Sequence, residues 1–112
     1  MKIDILGTPY EVTIKCESED KGLVGCDGYC DAYLKLIVVS DFKDCEGTPE
    51  EKEDKTRETK RHEIIHGFLN ESGLRWSSHI FDSGWAKNEE MVDWFAIQFP
   101  KILKAYQDAK AV

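Results

Sequence analysis

Residues 48–73 read TPEEKEDKTRETKRHEIIHGFLNESG, and the fold turns on how this stretch is read. Thr48 followed by Pro49 is a helix start, because proline is tolerated at the first helical position. Glu51 with Lys55, and Glu53 with Arg57, are i,i+4 pairs in the favourable order. Gly73 is a good residue just beyond a helix end. The stretch therefore predicts one helix from about Pro49, or a few residues later, to about Ser72.

Within it lies His62-Glu63-Ile64-Ile65-His66. Histidines four apart project from one helical face, about 40° apart at about 100° per residue, so two imidazoles can reach one tetrahedral ion. Glu63 lies about 100° round from His62, beside such an ion rather than on it. There it can take a proton from a water held by the metal. Ile64, Ile65, Phe68 and Leu69 occupy the adjoining arc and are expected to face the core. The competing reading is two histidines on a solvated or packed helix face. Against it, the chain has 3 histidines and two of them fall here, on a helix with an apolar side.

Working outward, residues 2–6 and 10–15 alternate, with Gly7-Thr8-Pro9 between them as a turn, which predicts a β-hairpin. Ile3 and Ile5, then Tyr10, Val12 and Ile14, are its inward set. Residues 16–31 carry charge and Gly22, Gly25 and Gly28, and read as a long turn. Residues 33–39, rich in β-branched side chains, read as a third strand. On the other side of the long helix, residues 74–87 form an aromatic connection. Asn88 then caps a second helix to about Lys110, with Val92, Phe95, Ala96, Phe99, Leu103 and Tyr106 along one stripe. Pro100 predicts a kink or break there. The expected architecture is α+β, in one domain over residues 1–112: a small antiparallel sheet of about three strands packed with two main helices.

A third metal ligand is needed. Glu71 points about 140° away from His66 on a continuous helix and is set aside. Gly and His at the positions of Leu69 and Ser72 would mark a different zinc-peptidase type, which is thereby excluded. Glu89 and Asp93 share one face of the second helix. Glu89 is the preferred ligand, with Asp93 accepting the free N–H of a ligand histidine. Glu90 fits better the role of an acid favoured by the helix dipole. His79 and Asp82, in the connection, remain open as alternatives.

The string HEIIHGFLNESGL at 62–74, followed by NEEMVDWFA at 88–96, resembles the small phage and prophage proteins related to the ImmA/IrrE metallopeptidases. Their second motif, E-x-x-A-x-x-F-A, is matched at Glu89, Phe95 and Ala96, with Val92 in place of the small residue. Lys60 is a second departure, a charge where such helices usually have none. The resemblance implies a minimal zincin-like core of the gluzincin type. It also implies one Zn²⁺ per chain held by His62, His66 and Glu89, and a peptide or protein substrate.

Two functions follow. One is a zinc metallopeptidase with Glu63 as general base. Tyr29, Tyr33 and His79 are its candidate oxyanion donors. The other is a non-catalytic, zinc-stabilised regulatory or protein-binding module. The small size and the lack of the recognition domain that relatives often carry suit the second. A net charge of −7 argues against a nucleic-acid surface. No signal-peptide or membrane-spanning run is apparent, so a cytoplasmic location is expected, without a membrane partner. In that compartment Cys16, Cys26, Cys30 and Cys45 are expected mainly as free thiols, with a second metal site as the lesser alternative.

Overall fold

A computed structural model describes residues 1–77 and 84–112. Strands β1 (Lys2–Ile5) and β2 (Thr8–Lys15) form the expected hairpin, paired from Lys2↔Glu11 to Ile5↔Thr8. Its turn is shorter than the sequence suggests. Leu6 (φ 51°) and Gly7 (φ 87°) alone make it, both in the left-handed region that a two-residue hairpin loop requires. Thr8 and Pro9 belong to β2.

The sheet differs from expectation. It has four strands in the order β1-β2-β4-β3, where β3 is Gly28–Asp31 and β4 is Leu36–Ser40. It is mixed rather than antiparallel, because β4 runs parallel to β2, with Val12 opposite Ile37 and Ile14 opposite Val39. A parallel neighbour needs a long crossover. The supposed long turn supplies it. Residues 16–27 pass over the end of the sheet, β3 descends as the outer strand, and a tight reversal with Lys35 at φ 54° sends β4 up the middle. In that reversal Asp31 Oδ1 accepts from the backbone N–H groups of Tyr33 (2.9 Å) and Leu34 (2.8 Å), so residues 33–35 are turn and not strand.

Helix α1 (Pro49–Glu71) starts as predicted. Thr48 Oγ1 accepts from Glu51 N (3.2 Å), and the Glu51 carboxylate accepts from Thr48 N (2.9 Å), a reciprocal cap. The helix lies across the sheet, and Ile64 packs with Ile5, Tyr10, Val12, Ile37 and Val39. Two glycines allow this approach. A Cβ on Gly67 would come within 2.6 Å of Ile5 Cδ1. One on Gly28 would meet the Val38 carbonyl at 2.9 Å and Glu63 Cγ at 3.2 Å.

A short helix α2 (Leu74–Ser77) follows, and a 3₁₀ turn (Trp85–Lys87) leads into α3 (Glu89–Asp108). A second cluster joins α1 to α3: Leu69, Ala86 and Val92, with Ile65 and Met91 against them. Phe68 is not in either cluster and stands 42% exposed, contrary to expectation. Ile14 is also exposed, although Val39 opposite it is buried. Along the α3 stripe only Val92 and Ala96 are buried, while Phe95, Phe99 and Tyr106 are exposed. No helix among the described residues is long and apolar enough to cross a membrane. All four cysteines are free thiols.

Candidate metal centre

The buried stripe of α1 is not apolar. Of its buried residues Thr56, Thr59, Glu63, Gly67, Leu69 and Asn70, only Leu69 has a large apolar side chain. Thr59, Glu63 and Asn70 of this stripe, with His62 and His66 beside them, form one wall of a cleft of about 690 Å³ whose other walls include β3 and the start of α3. Small and polar residues here cost packing but leave room for chemistry. The periodicity of α1 places His62 and His66 one turn apart at the mouth of this cleft, each about one-fifth exposed.

Asn88 caps α3, its Oδ1 accepting from Met91 N (2.8 Å), and this directs the first turn of α3 at the histidines. Glu89 Oε2 lies 3.0 Å from His62 Nε2, and Glu89 Oε1 lies 3.2 Å from His66 Nε2. The two Nε2 atoms are 3.1 Å apart. Donors at bonding distance from one tetrahedral zinc-sized ion are separated by about 3.3 Å, the edge of the tetrahedron. The three side chains therefore lie close enough to bind one metal ion, and among the described residues no other His, Cys, Asp or Glu group of three does so.

Asp93 stands one turn further along α3, and its Oδ1 is 2.7 Å from His62 Nδ1. A carboxylate at that distance accepts a hydrogen bond from the Nδ1–H, which keeps the proton on Nδ1. That fixes the tautomer and leaves the Nε2 lone pair turned toward Glu89 and His66. Burial lowers the pKa of His66, an effect partly opposed by the Glu89 charge, which favours the neutral imidazole, the form a metal needs.

Glu63 is buried, and its Oε1 is 3.9 Å from His62 Nε2. Burial pushes its carboxyl up to about 7, against the pull of His62, with Glu89 and Asp93 adding to the rise. A carboxylate that titrates near neutrality beside a metal position is suited to accept a proton and return it.

The five residues singled out from the two helical motifs thus meet at one cleft. Other candidates do not join them. Glu71 accepts hydrogen bonds from Thr8, Tyr10 and Lys35 on the sheet side. Glu90 is exposed and does not line this cleft. Tyr33 is 83% exposed, with its ring edge-on to Trp76. Tyr29 borders the cleft, but its hydroxyl donates to Asp20 Oδ2 (2.7 Å). His79 and Asp82 lie outside the described residues.

Sequence reasoning misses four residues of this region. Gly28 gives Glu63 its space. Arg61 donates from Nε to the Ala96 carbonyl (2.6 Å) and clamps α1 to α3 beside the site. Asn70 and Arg75 line the cleft beyond His66. Only Asn70 had a readable signal, since it continues the i,i+4 line of His62 and His66. Comparison of the chain with protein-family models, curated proteins and solved structures finds no match.

Proposed function

We propose that this chain is a zinc-dependent peptidase. The observation that carries the reading is the convergence of His62 Nε2, His66 Nε2 and the Glu89 carboxylate at tetrahedral-edge distances, with buried Glu63 alongside. Two imidazoles and one carboxylate suit zinc, and three protein ligands are the number that leaves a position for substrate. The likeness of the two helical motifs to ImmA/IrrE metallopeptidases points the same way. Bound zinc would act as a Lewis acid on the scissile carbonyl and the attacking water. Glu63 accepts the proton of that water and delivers it to the leaving amine. Asp93 holds His62 in the productive tautomer. Strand β3 is one of the two edge strands of the sheet and borders the cleft, so an extended peptide can lie along it.

Elemental analysis and peptide digestion test this together. The expected result is about one zinc per chain, lost in a His62→Ala/His66→Ala variant, with cleavage of a peptide library. Glu63→Gln should retain zinc and fold while losing roughly 10²–10⁴-fold in rate. Equal cleavage by wild type and Glu63→Gln removes Glu63 from the chemistry. The exposed Trp94, Phe95 and Phe99 of α3 favour a second reading, a zinc-stabilised protein-binding module. Zinc binding with no cleavage by either protein would select it.

A further inference from the structure

The line of residues that carries the ligand histidines does not stop at His66. His62, His66 and Asn70 follow at four-residue intervals, each about 6 Å further along the axis of α1, and all three line the cleft. Asn70 is buried at 7% exposure. Its Oδ1 accepts from Arg75 Nη1 (3.3 Å), and its Nδ2 donates to Cys30 Sγ (3.6 Å). A guanidinium only donates, so the amide oxygen must face Arg75 and the amide orientation is determined. The Arg75 guanidinium also lies 5.5 Å from the centre of the Trp76 ring. It is thus held from two sides, at the cleft wall beyond the metal ligands.

Among the described residues no carboxylate lies within ion-pair distance of Arg75. Half-buried Lys35, by contrast, is paired with Glu71. A partly buried, braced guanidinium with no carboxylate partner among the described residues is the geometry that receives a carboxylate in a bidentate manner. Lys87, on the 3₁₀ turn before α3, adds a second positive charge to the cleft lining. The remaining charged residues there, Asp27, Glu58, Glu63, Glu89 and Asp93, are acidic. The cleft is therefore polarised, with acids around the metal position and Arg75 beyond them.

We propose that Arg75, positioned by Asn70, recognises a carboxylate of the bound peptide, so that the protein selects peptides presenting a negative charge close to the metal position. The inference rests on the peptidase reading for its occupant. The shared chemistry is a carboxylate, and two sources are available: a free C-terminus or an acidic side chain.

Three probes separate these sources in isothermal titration of the zinc-loaded protein: acetyl-trialanine with a free C-terminus, its C-terminal amide, and acetyl-Ala-Glu-Ala amide. At least one carboxylate probe should bind about tenfold or more tighter than the neutral amide, the usual size of one charge-assisted contact. The tighter of the two identifies the source. In Arg75→Gln the three affinities should converge, at unchanged zinc content and thermal midpoint. Asn70→Ala should narrow the preference, and Arg75→Lys should keep part of it. Three results overturn the proposal: equal binding of all probes to wild type, no binding of any probe, or a carboxylate preference that persists in Arg75→Gln. The last would mean that the metal itself holds the carboxylate. Carboxylate-selective binding without hydrolysis would sink the peptidase reading and leave Arg75 as an anion site. Hydrolysis with no carboxylate preference would do the reverse.

Discussion

Glu89 and Glu90 are neighbours in the first turn of α3, and the helix dipole favours both equally. Their directions differ. Glu89 faces the two Nε2 atoms, whereas Glu90 is exposed and away from the cleft. Glu89→Ala is therefore expected to weaken zinc binding far more than Glu90→Ala, as measured by competition with a chromogenic chelator. Comparable losses would mean that the helix dipole, and not ligation, explains the acid at position 89. Asp93 acts one step further back, since it touches only Nδ1 of His62. Asp93→Asn should cost about 10–100-fold in zinc affinity, the usual weight of a carboxylate behind a ligand histidine. An unchanged affinity would show that the tautomer of His62 is set elsewhere. The grouping of these residues could be read from the chain because the spacing of side chains within a helix is local. A spacing of four brings His62 to His66 wherever the helix goes, and the same spacing brings Glu89 to Asp93.

What joins two elements is harder to read, and Pro100 illustrates why. In sequence it predicts an interruption, yet α3 runs from Glu89 to Asp108 through it. Residue 100 would ordinarily donate its N–H to the carbonyl of Ala96, and proline has none. Arg61 from α1 fills that gap at 2.6 Å. The break is averted by a side chain 39 positions earlier in the chain, which no local pattern announces. The same contact locks α3 beside His62, one residue on from Arg61. Arg61→Met should cost about 1–3 kcal/mol by leaving a partly buried carbonyl without a donor. In a Pro100→Ala background the helix supplies its own donor, and the cost of Arg61→Met should shrink. A double-mutant cycle by urea denaturation measures this. Equal costs in the two backgrounds would separate Arg61 from the proline gap. Periodicity likewise shows which residues share a face but not whether anything covers it. Ile14, Phe68 and Phe99 are on the expected faces and remain exposed. The order β1-β2-β4-β3 is the least legible feature, because it depends on which distant strand pairs with β2, a non-local contact.

At the scale of the whole molecule, the question is what holds α1 at a fixed height over the sheet, since His62 and His66 ride on it. One anchor lies at its last residue. The Glu71 carboxylate accepts from Lys35 Nζ (2.6 Å), Tyr10 Oη (2.7 Å) and Thr8 Oγ1 (3.0 Å), joining the C-terminal end of α1 to β2 and to the turn before β4. An acid at a helix C-terminus opposes the dipole, so this placement is explained by its partners and not by local preference. Those partners stabilise the ionised form. The Lys35 contact first, and then Tyr10, hold the carboxyl at about 2, against the opposing effect of burial. The sign follows from linkage. A carboxyl with a lower pKa folded than unfolded adds stability that is complete above its ordinary value near 4.5. That contribution is lost as pH falls through about 2, where the folded form also takes up the proton. Glu11, Glu19 and Asp20 are shifted in the same direction, so the acid sensitivity of the wild type alone cannot be assigned to one residue. The difference between wild type and Glu71→Gln can be. Gln keeps an oxygen to accept from Tyr10 but cannot ionise. Thermal midpoints of both proteins, in chelator so that zinc loss does not enter, should differ most above pH 5. They should converge steadily as pH falls toward about 2. A gap that stays constant across that range would show that Glu71 acts by shape alone, and that its ionisation does not hold α1 to the sheet.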